Sequence, residues 1–465
     1  MEEQTQHRTS SSARLRFILG KQKVDVALPT EVPLAHLLPA ILPQFGAEVV
    51  EQGVEHEGWV VRRLGDKTLD EDRTLSELSV LDGETLHLRP RTDQVVAIDY
   101  DDLVDGVAEQ VTAHPGTLNP TRVRWMFRAA AVACLLLGLW LVPGAGSPQS
   151  QAQLAGGLAL ALVLGAALLA RGAADAQTAT ILAAAAAAYA GVAAALVVGV
   201  LAPGAPLVLR VTGAATGALL ALVAGLAAVA EGVLLFVAAT VFAGTLLLTG
   251  VIGVLTGATS VQVAAIGVVL SIIMGIFVPP AAFRLSGLTL PMLPTGADEL
   301  NEDITPIPHQ LVVDRGSAVV GYSTALQLGL GAAQSLLLPI VVFDGDGWAR
   351  ALVLVLALLL FLRSRHPNTV IQRWALLVPA CTAVAAYLVA FAGEQTPAVR
   401  LLVLVPVLFG ASALLLLGGN RLPGRRLRPY WGRAVEIFES ITAIAALPIL
   451  FQILHLYSFM RALAG

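Results

Sequence analysis

The sequence predicts an all-α polytopic membrane protein of about eleven transmembrane helices, preceded by a small α+β domain. Hydrophobic residues make up 56% of the 465 residues and charged residues only 13%, whereas soluble domains have roughly 25% charged residues. From Trp125 onward the chain is a succession of apolar runs separated by short polar breaks, and each run is long enough for a helix that crosses about 30 Å of hydrocarbon. The first ninety residues instead alternate apolar and polar side chains.

Composition excludes several classes of protein. The three lysines, Lys21, Lys23 and Lys67, all lie in the first seventy residues, and nothing indicates a nucleic-acid partner. Cys134 and Cys381 both fall inside apolar runs, so the cysteine spacing implies neither a disulfide framework nor a metal site, and no cofactor is expected. Residues 1–12 are polar, lack the apolar segment of a secretory signal, and are expected to be disordered.

The N-terminal domain is predicted over residues 13–91. Two alternating stretches separated by Gly20 predict a β-hairpin with one buried face. Apolar residues at helical spacing then predict a helix over 34–45, which Pro39 and Pro43 should kink or shorten.

The rest of this domain is predicted to complete a β-sheet. Residues 59–64 indicate a third strand, residues 67–69 a short fourth strand, and residues 85–89 the last strand. Between them, Thr74 and Glu77 have the spacing of a capping box, which should start a short helical turn.

This order of elements, with the closing patterns of residues 74–78 and 83–88, resembles the ubiquitin-like β-grasp fold. The last strand runs on into residues 90–93, so the domain lacks the free C-terminal diglycine that conjugation requires. A binding or assembly role follows, with Arg14 and Arg16 as candidate docking residues. The alternative is a cap that stabilises the fold and has no partner.

A cytosolic linker is predicted over residues 92–124, with an acidic amphipathic helix. Leu103, Val104, Val107 and Val111 share one helical face. The helix is either a docking element for a basic partner surface or a solvated spacer. Its candidate docking residues are the acidic ones: Asp99, Asp101, Asp102, Asp105 and Glu109.

The transmembrane domain is predicted over residues 125–465. The weakest span is 348–362, which is short and needs Trp348 as an interface anchor or local thinning of the bilayer. The eleven predicted spans are 125–142, 152–170, 177–201, 207–230, 233–250, 259–278, 318–343, 348–362, 372–391, 398–417 and 434–460.

The arginines predict the orientation of these spans. The positive-inside rule keeps the N-terminus in the cytoplasm and, with an odd number of spans, puts the C-terminus on the opposite side of the membrane. The opposite side carries only Arg210, Arg350, Arg400 and Arg461. The arginines assigned to the cytosolic side are Arg171, Arg284, Arg315, Arg363, Arg365, Arg373, Arg421, Arg425, Arg426, Arg428 and Arg433.

Small residues recur at every fourth position in two of the spans. This spacing lets helix backbones approach closely, so internal helix packing is the first interpretation and a ligand pocket is the alternative. The residues are Gly213, Gly217, Ala221, Gly225, Gly253 and Gly257.

Two cytosolic loops are unusual. The loop 279–317 is long, rich in proline and predicted to form an exposed arm. Its acidic candidates for partner docking are Asp298, Glu299, Glu302 and Asp303. The second loop should contact anionic lipid headgroups, with protein contact as the alternative, through Arg421, Arg425, Arg426, Arg428, Tyr430 and Trp431.

Motifs of known chemistry are missing from the sequence. It contains no Gly-x-x-x-x-Gly-Lys, His-Glu-x-x-His or Gly-x-Ser-x-Gly, and no catalytic residue is predicted. Coupled transporters place carboxylates, His or Arg at mid-membrane, whereas Glu436 and Glu439 lie near a span end and His455 stands alone in an apolar run.

A ubiquitin-like head, a linker with helical character and eleven spans together resemble the EccD family, the polytopic membrane component of ESX (type VII) secretion systems. The resemblance implies a structural subunit whose helices form walls around a lipid-facing cavity and whose head and linker dock an ATPase. It implies as partners an EccC-type FtsK-like ATPase, EccB, EccE, a second EccD copy and membrane lipids, with WXG100, PE and PPE substrates contacted indirectly.

Two other classes of function are kept beside this interpretation. The first is a secondary transporter of a small solute with a cytosolic regulatory domain. The second is a membrane enzyme acting on lipid, which the lack of a polar cluster for the chemistry disfavours.

Overall fold

The computed structural model consists of two compact units, Met1–Leu118 and Asn119–Gly465, and each is described by itself. The structure describes residues 12–20, 22–46, 49, 58–63, 68–90, 104, 107, 111, 118–144, 146–173, 175–288, 309–421 and 429–464.

The first unit contains a four-stranded mixed sheet. Its strands are β1 (Ser12–Leu19), β2 (Gln22–Pro29), β3 (Trp59–Arg63) and β4 (Thr85–Pro90), in the spatial order β2-β1-β4-β3. β1 pairs antiparallel with β2 and parallel with β4, and β3 pairs antiparallel with β4. The predicted fourth strand at 67–69 is wrong for the described residues there, because only one isolated bridge joins Thr68 to Arg62.

One helix packs on the buried face of this sheet. α1 (Leu34–Ile41) contains Pro39 and continues as a 3-10 turn over Leu42–Phe45, which begins with Pro43 at its second position. The predicted shortening is thus confirmed, since a proline ring removes one backbone donor from the helix. The core under the sheet includes Phe17, Leu34, Ile41 and Leu86, all fully buried.

The second unit is helical throughout its described residues. Its helices are α2 (Pro120–Leu141), α3 (Pro148–Gly172), α4 (Ala176–Leu201), α5 (Leu207–Val229), α6 (Val233–Thr256), α7 (Ser260–Ile276), α8 (Val278–Leu285), α9 (His309–Phe343), α10 (Gly347–Arg363), α11 (Val370–Glu394), α12 (Pro397–Arg421), α13 (Pro429–Ile453) and α14 (Leu456–Ala464).

The predicted count of eleven spans is close to the nine or ten candidate spans among the described helices. Nine helices among the described residues are long and apolar enough to cross a membrane, and α7 with α8 forms a tenth candidate bent by 57°. The predicted span 348–362 corresponds to α10, which has only 17 residues. Leu352, Val353 and Leu360 of α10 are fully buried, so protein rather than lipid surrounds much of this short helix.

Two span boundaries were wrong. The first span begins at Pro120, where the Asn119 side chain accepts a hydrogen bond from the Arg122 backbone and caps the helix, not at Trp125. The last predicted span, 434–460, is two helices, because His455 between them has a φ of +55°. A non-glycine residue in the left-handed region interrupts the helical ladder.

Candidate assembly surfaces and the buried charge cluster

Arg14 and Arg16 lie on the exposed face of β1. Arg16 donates two hydrogen bonds to the carboxylate of Asp25, at 2.7 and 2.9 Å. The hydrogen bonding from Arg16 holds the pKa of Asp25 below its usual value. Arg14 is tied by its backbone amide, which donates to Asp82 Oδ1 at 2.6 Å, and its side chain stays available to a partner. The docking role of both residues stays a prediction.

Sequence reasoning missed a second ion pair in this domain. Arg63 at the end of β3 pairs with Glu84 and also donates to the carbonyl oxygens of Leu78 and Ser79 at 3.2 and 3.1 Å. Glu84 accepts the backbone amide of Leu81 at 2.8 Å. The network therefore fastens the turn before β4 to the end of β3, and the hydrogen bond from Arg63 lowers the pKa of Glu84.

Protonation of Glu84 should loosen this turn. The pKa of Glu84 is lower in the folded chain than the usual pKa of a glutamate. The Arg63–Glu84 pair therefore stabilises the fold fully at pH values above that usual pKa. This stabilisation is lost as the pH falls through the lowered pKa of the folded state. We expect Glu84→Gln to cost about 1 kcal/mol of local stability at neutral pH, seen as faster amide exchange over residues 79–84 in the full chain. Asp25→Asn, which removes an exposed pair, should leave that exchange unchanged. Equal exchange in wild type and Glu84→Gln would refute this role.

Within the predicted linker, 92–124, the structure describes residues 104, 107, 111 and 118–124. Val104, Val107 and Val111 are helical, and their exposed fractions are 72%, 53% and 61%. These three exposed side chains belong to the apolar face that the sequence predicts. The acidic candidates Asp99, Asp101, Asp102, Asp105 and Glu109 lie outside the described residues.

Both ends of the predicted arm 279–317 are helical, which corrects that prediction. α8 occupies 278–285, and α9 begins at His309. Arg315 in α9 donates to the carbonyl oxygen of Ser286 at 2.6 Å, so the two ends are held together. The acidic candidates Asp298, Glu299, Glu302 and Asp303 lie outside the described residues.

The predicted headgroup segment is described at its two ends. Arg421 is the exposed last residue of α12. Tyr430 and Trp431 are exposed in the first turn of α13, with ring centroids 5.5 Å apart. Amphipathic aromatic rings of this kind suit the bilayer interface. Arg425, Arg426 and Arg428 lie outside the described residues, and headgroup contact stays a prediction.

The first small-residue ladder faces neighbouring helices. A Cβ on Gly217 would lie 2.6 Å from the carbonyl oxygen of Ala190 in α4, and a Cβ on Gly213 would lie 2.7 Å from Val198. A Cβ on Gly225 would lie 3.0 Å from Ala183, and Ala221 between them is buried. The ladder thus lies where α5 packs closely on α4, with no room for a ligand at these positions.

The second pair of glycines divides between two roles. A Cβ on Gly253 would lie 2.8 Å from Val208 in α5, so this residue faces another helix. Gly257 has nothing within 4 Å of its Cβ position and a φ of +66° at the C-cap of α6. The prediction that Gly257 packs helices together was wrong, because a left-handed C-cap favours glycine for its backbone freedom. Thr259 and Gln262 then form a capping box that begins α7.

Arg128 joins two helices at one end of the membrane domain. In α2 it donates to Asp175 at 2.9 Å and to Thr178 at 3.1 Å, and it also bonds Gln177. Asp175 is the N-cap of α4, and hydrogen bonds from Thr178, with Arg128 adding, lower its pKa. Arg128 therefore links α2 to the start of α4.

Glu439 of α13 is the centre of the main charged cluster in the described membrane domain. Its carboxylate accepts a hydrogen bond from Arg365 at 3.1 Å, lies 3.0 Å from His366 Nε2, and pairs with Arg363 at 3.6 Å. Arg363 also donates to the carbonyl oxygen of Ile272 at 3.0 Å. The cluster therefore connects α7, the end of α10, the α10–α11 loop and α13. The signal for it in the sequence was the group of three basic residues Arg363, Arg365 and His366.

The described residues contain no group of three or more His, Cys, Asp or Glu side chains that could hold a metal ion. The charged cluster has three basic side chains around one carboxylate, and such a set suits anions and ion pairs. Its arrangement favours a structural or binding role over metal-assisted chemistry.

Two family models match separate parts of the chain. The EccD-like transmembrane domain matches residues 123–463, which is most of the chain. The protein YukD of the WXG100 protein secretion system matches residues 13–88, which correspond to the ubiquitin-like head. The two matches divide the chain where the sequence predicts the division between head and membrane helices.

Relatives extend over the whole chain. The ESX-4 secretion system protein eccD4 of Mycobacterium tuberculosis is 27% identical over 473 residues, which is 97% of this chain and 97% of that protein. Protomer 1 of the ESX-3 core complex matches with a TM-score of 0.59 and 21% identity, covering 97% of this chain and 100% of that chain.

A second solved structure shows the same fold. The MycP5-free ESX-5 inner membrane complex matches with a TM-score of 0.57 and 17% identity, covering 87% of this chain and 99% of that one. The resemblance predicted from head, linker and span count is thereby confirmed. The chain belongs to the EccD family, and it is a multi-pass inner membrane protein that serves as a structural subunit of a type VII secretion system and not as an enzyme.

Proposed function

We propose that this chain builds the wall of a type VII secretion complex by pairing with a second copy of itself, enclosing lipid between the copies, while its head and linker dock an EccC-type ATPase. EccB and EccE are proposed as the further neighbours, and WXG100, PE and PPE substrates as indirect ones. The N-terminus is proposed to be cytoplasmic and the C-terminus periplasmic, in line with the distribution of arginines.

The observation that carries the proposed pairing is the isolation of α12. The helix spans Pro397–Arg421, and none of its residues is buried. None of the closely packed helix pairs in the described part of the chain includes it. α12 also contains a π-helical turn at Arg400–Leu404, a feature common at functional sites. A membrane helix that packs closely on no other described helix of its chain supports a partner helix from outside the chain.

Cysteine cross-linking tests the pairing. After Cys134 and Cys381 are replaced by alanine, single cysteines at the exposed positions Leu402, Phe409 and Leu416 of α12 are oxidised in native membranes. Because a twofold interface brings one patch against itself, we expect a covalent homodimer from at least one position.

The control uses Leu220→Cys, an equally exposed position on α5. It should stay monomeric under the same oxidation. Dimers from Leu220→Cys but from no α12 position would contradict the proposed interface.

Charge reversal tests the proposed ATPase docking. Replacing Asp101, Asp102 and Asp105 by lysine should reduce co-purification of the ATPase subunit, because the acidic linker is proposed to meet a basic surface. The measurement is the ratio of ATPase to this chain after affinity purification at low salt. If the wild-type chain and the triple variant co-purify equal amounts of the ATPase subunit, and if these amounts do not change with salt, docking by charge is contradicted.

The transporter alternative has its own test. Uptake of a small solute into liposomes that contain only the purified chain would contradict a structural role. Uptake no greater than that into protein-free liposomes, together with a stable stoichiometric complex in mild detergent, supports the wall function.

A further inference from the structure

A cleft of about 510 Å³ lies within the described membrane domain. Its walls come from α7, α8, α9, the end of α10, the α10–α11 loop and α11, and Glu439 of α13 completes them. None of its lining residues belongs to α12, which is proposed above to meet a second copy. What the cleft holds is therefore a question separate from that pairing.

The mouth of the cleft lies at one end of the membrane helices. Val320 lines this part, and a Cβ on the next residue, Gly321, would lie 3.0 Å from Leu234 in the first turn of α6. Gln372, in the first turn of α11, lines the same part and donates a hydrogen bond to Thr324 at 2.9 Å. A polar ligand therefore reaches the mouth without crossing the apolar interior of a bilayer.

The two longest walls of the cleft, α7 and α9, run antiparallel. A Cβ on Gly267 of α7 would lie 2.7 Å from Leu337 of α9. Val261, earlier in α7, lies 3.4 Å from the Cβ position of Gly345, just beyond the end of α9. α7 therefore ends on the side of the mouth, and α9 starts on that side.

The floor of the cleft is formed by Gln334 and Arg363. At a rise of about 1.5 Å per residue, Gln334 lies about 21 Å along α9 from Val320 and within one helical turn of the level of Ile272 on α7. Arg363 donates to the carbonyl oxygen of Ile272 at 3.0 Å, so it lies at the same level. The cleft is therefore elongated, with a charged group at its inner end.

Arg363 has hydrogen-bond donors left for a ligand. Its Nη1 atom donates to Ile272 and its Nε atom lies 3.6 Å from Glu439, whereas its Nη2 atom makes no hydrogen bond within the described residues. Glu439 has nearer partners, since Arg365, which lies outside the cleft lining, and His366 are 3.1 and 3.0 Å from its other carboxylate oxygen. Free guanidinium donors beside a carboxylate that is already paired favour an anionic ligand, such as a second carboxylate.

Gln334 leaves an amide group unpaired at the same level. Its side chain is 2% exposed, and its Oε1 atom has no hydrogen-bond partner among the described residues. Rotation about the last side-chain bond turns either the oxygen or the nitrogen toward the cleft. Because a buried amide without a partner is costly, the floor is suited to a ligand that carries an N–H or O–H donor close to its negative group.

Polar side chains continue from the floor toward the mouth. Ser323 and Gln327 line the cleft on the same face of α9 as Gln334, at a spacing of four and eleven residues. Neither Ser323 nor Gln327 is hydrogen-bonded through its side chain to another described residue. Hydroxyl and amide groups without partners along one wall complement the N–H and C=O groups of an extended peptide, which need partners when they leave water.

The end of a polypeptide combines the groups that the floor requires. A C-terminal residue carries a carboxylate, and its own backbone N–H lies beside that carboxylate. The buried side chains of Ile272, Leu330 and Leu360 line the inner part of the cleft and provide apolar contacts for the last side chain. An extended chain of about six residues is about 20 Å long, which matches the distance from floor to mouth.

The last described helix of the same chain, α14, is not the occupant. It follows α13, whose Ile453 carbonyl oxygen accepts a hydrogen bond at 3.1 Å from Gln262 in the first turn of α7. That turn is at the opposite end of α7 from the mouth. α14 has nine residues and is about 14 Å long, whereas α7 alone is about 25 Å long.

We propose that this cleft binds the extended C-terminal end of another protein, with the terminal carboxylate at Arg363, the last backbone N–H at Gln334 and an apolar last side chain against Leu330 and Leu360. The preceding residues follow Ser323 and the rest of that wall to the mouth. This binding needs neither the proposed pairing nor a particular side of the membrane for the mouth.

The first test compares two peptides that differ only in the terminal group. An acetylated six-residue peptide of alanine and serine that ends in leucine is made with a free carboxylate or with a carboxamide. Isothermal titration calorimetry measures the binding of each to the full chain in mild detergent. We expect about tenfold tighter binding of the carboxylate peptide, the factor expected for one charge-assisted hydrogen bond. Equal affinities would overturn the proposal.

A small acid with the same end tests whether the whole length of the cleft is used. N-acetylleucine has the terminal carboxylate, N–H and side chain of the peptide but lacks the residues before them. It should bind several-fold more weakly than the six-residue peptide. Equal affinity would overturn the proposal, since a small soluble acid would then be the ligand.

Matched variants locate the binding. Arg363→Gln and Gln334→Leu should each weaken binding of the carboxylate peptide several-fold. Arg365→Gln also removes a partner of Glu439, and Gln452→Leu changes another glutamine, but both residues lie outside the cleft lining, so these variants should bind as wild type does. Unchanged binding in both cleft variants, or an equal loss in Arg365→Gln, would overturn the site.

A measurement on the wild-type chain covers variants that fail to fold. The carboxylate peptide is made with a photoreactive leucine at its last position, or with a photoreactive phenylalanine at its first. The last position should label segments that contain Ile272, Leu330 or Leu360, and the first should label segments that contain Val320 or Thr369. The reverse pattern, or labelling confined to other helices, would overturn the assignment.

Discussion

Gly217→Ala is expected to lower the free energy of unfolding of the membrane domain by about 2 kcal/mol, within the usual range for overpacking. The added Cβ would lie 2.6 Å from the carbonyl oxygen of Ala190 and 2.7 Å from the Cβ of Ala194. A backbone carbonyl cannot rotate away, so α4 and α5 must separate. The measurement is the detergent-denaturation midpoint of the purified chain in mixed micelles.

Gly157→Ala is the matched control. Gly157 lies within α3, and its Cβ position has no atom within 4 Å. Since alanine is favoured over glycine in a helix by about 1 kcal/mol, this variant should be as stable as wild type or more so. If both variants shifted the midpoint in the same direction by the same amount, close helix approach at Gly217 would not be the cause.

Glu439→Ala is expected to destabilise the membrane domain by about 2 kcal/mol, between the cost of breaking a surface ion pair and that of breaking a fully buried one. The carboxylate side chain is 18% exposed and is the partner of Arg363, Arg365 and His366. Its removal leaves two guanidinium groups close together without a counter-charge. α13 should then detach from the α10–α11 loop, which protease cleavage within residues 364–369 would report.

The control for this variant is Glu436→Ala, one turn earlier on the same helix. Glu436 is exposed and has no ion pair among the described residues, so the loss of its charge should leave the denaturation midpoint and the cleavage rate unchanged. If both variants had the same effect, the cause would be a general effect of alanine on α13 and not the loss of the Glu439 ion pairs.

The fold was largely accessible from hydrophobic patterning. The head was identified by the alternation of apolar and polar residues in β1 and β2 and by the apolar stripe of α1. A half-buried strand and a half-buried helix each require apolar side chains at a characteristic spacing. The apolar runs identified the membrane helices, because lipid requires every backbone group to bond within the helix. Boundaries were less accessible, as at Pro120 and His455, because capping and left-handed breaks are local events that hydropathy averages over.

The candidate site was accessible only in part. The ladder of Gly213, Gly217 and Gly225 was visible from spacing, since four residues return to the same helical face. Gly257 shows the limit of that reasoning, because the same spacing also places a glycine where α6 ends.

The sequence by itself determined the membrane class, the ubiquitin-like head and the EccD family, because each depends on composition, period or order along the chain. Only the tertiary structure decided the partners of Glu439 and the cleft between Gln334 and Arg363. The ion pair of Glu439 with Arg363 and the shared cleft of Gln334 and Arg363 bring together residues 76 and 29 positions apart in the chain, and no local pattern encodes which helices meet. The physical reason is that burial and pairing depend on helix packing, whereas helix formation in lipid depends on the apolar run alone.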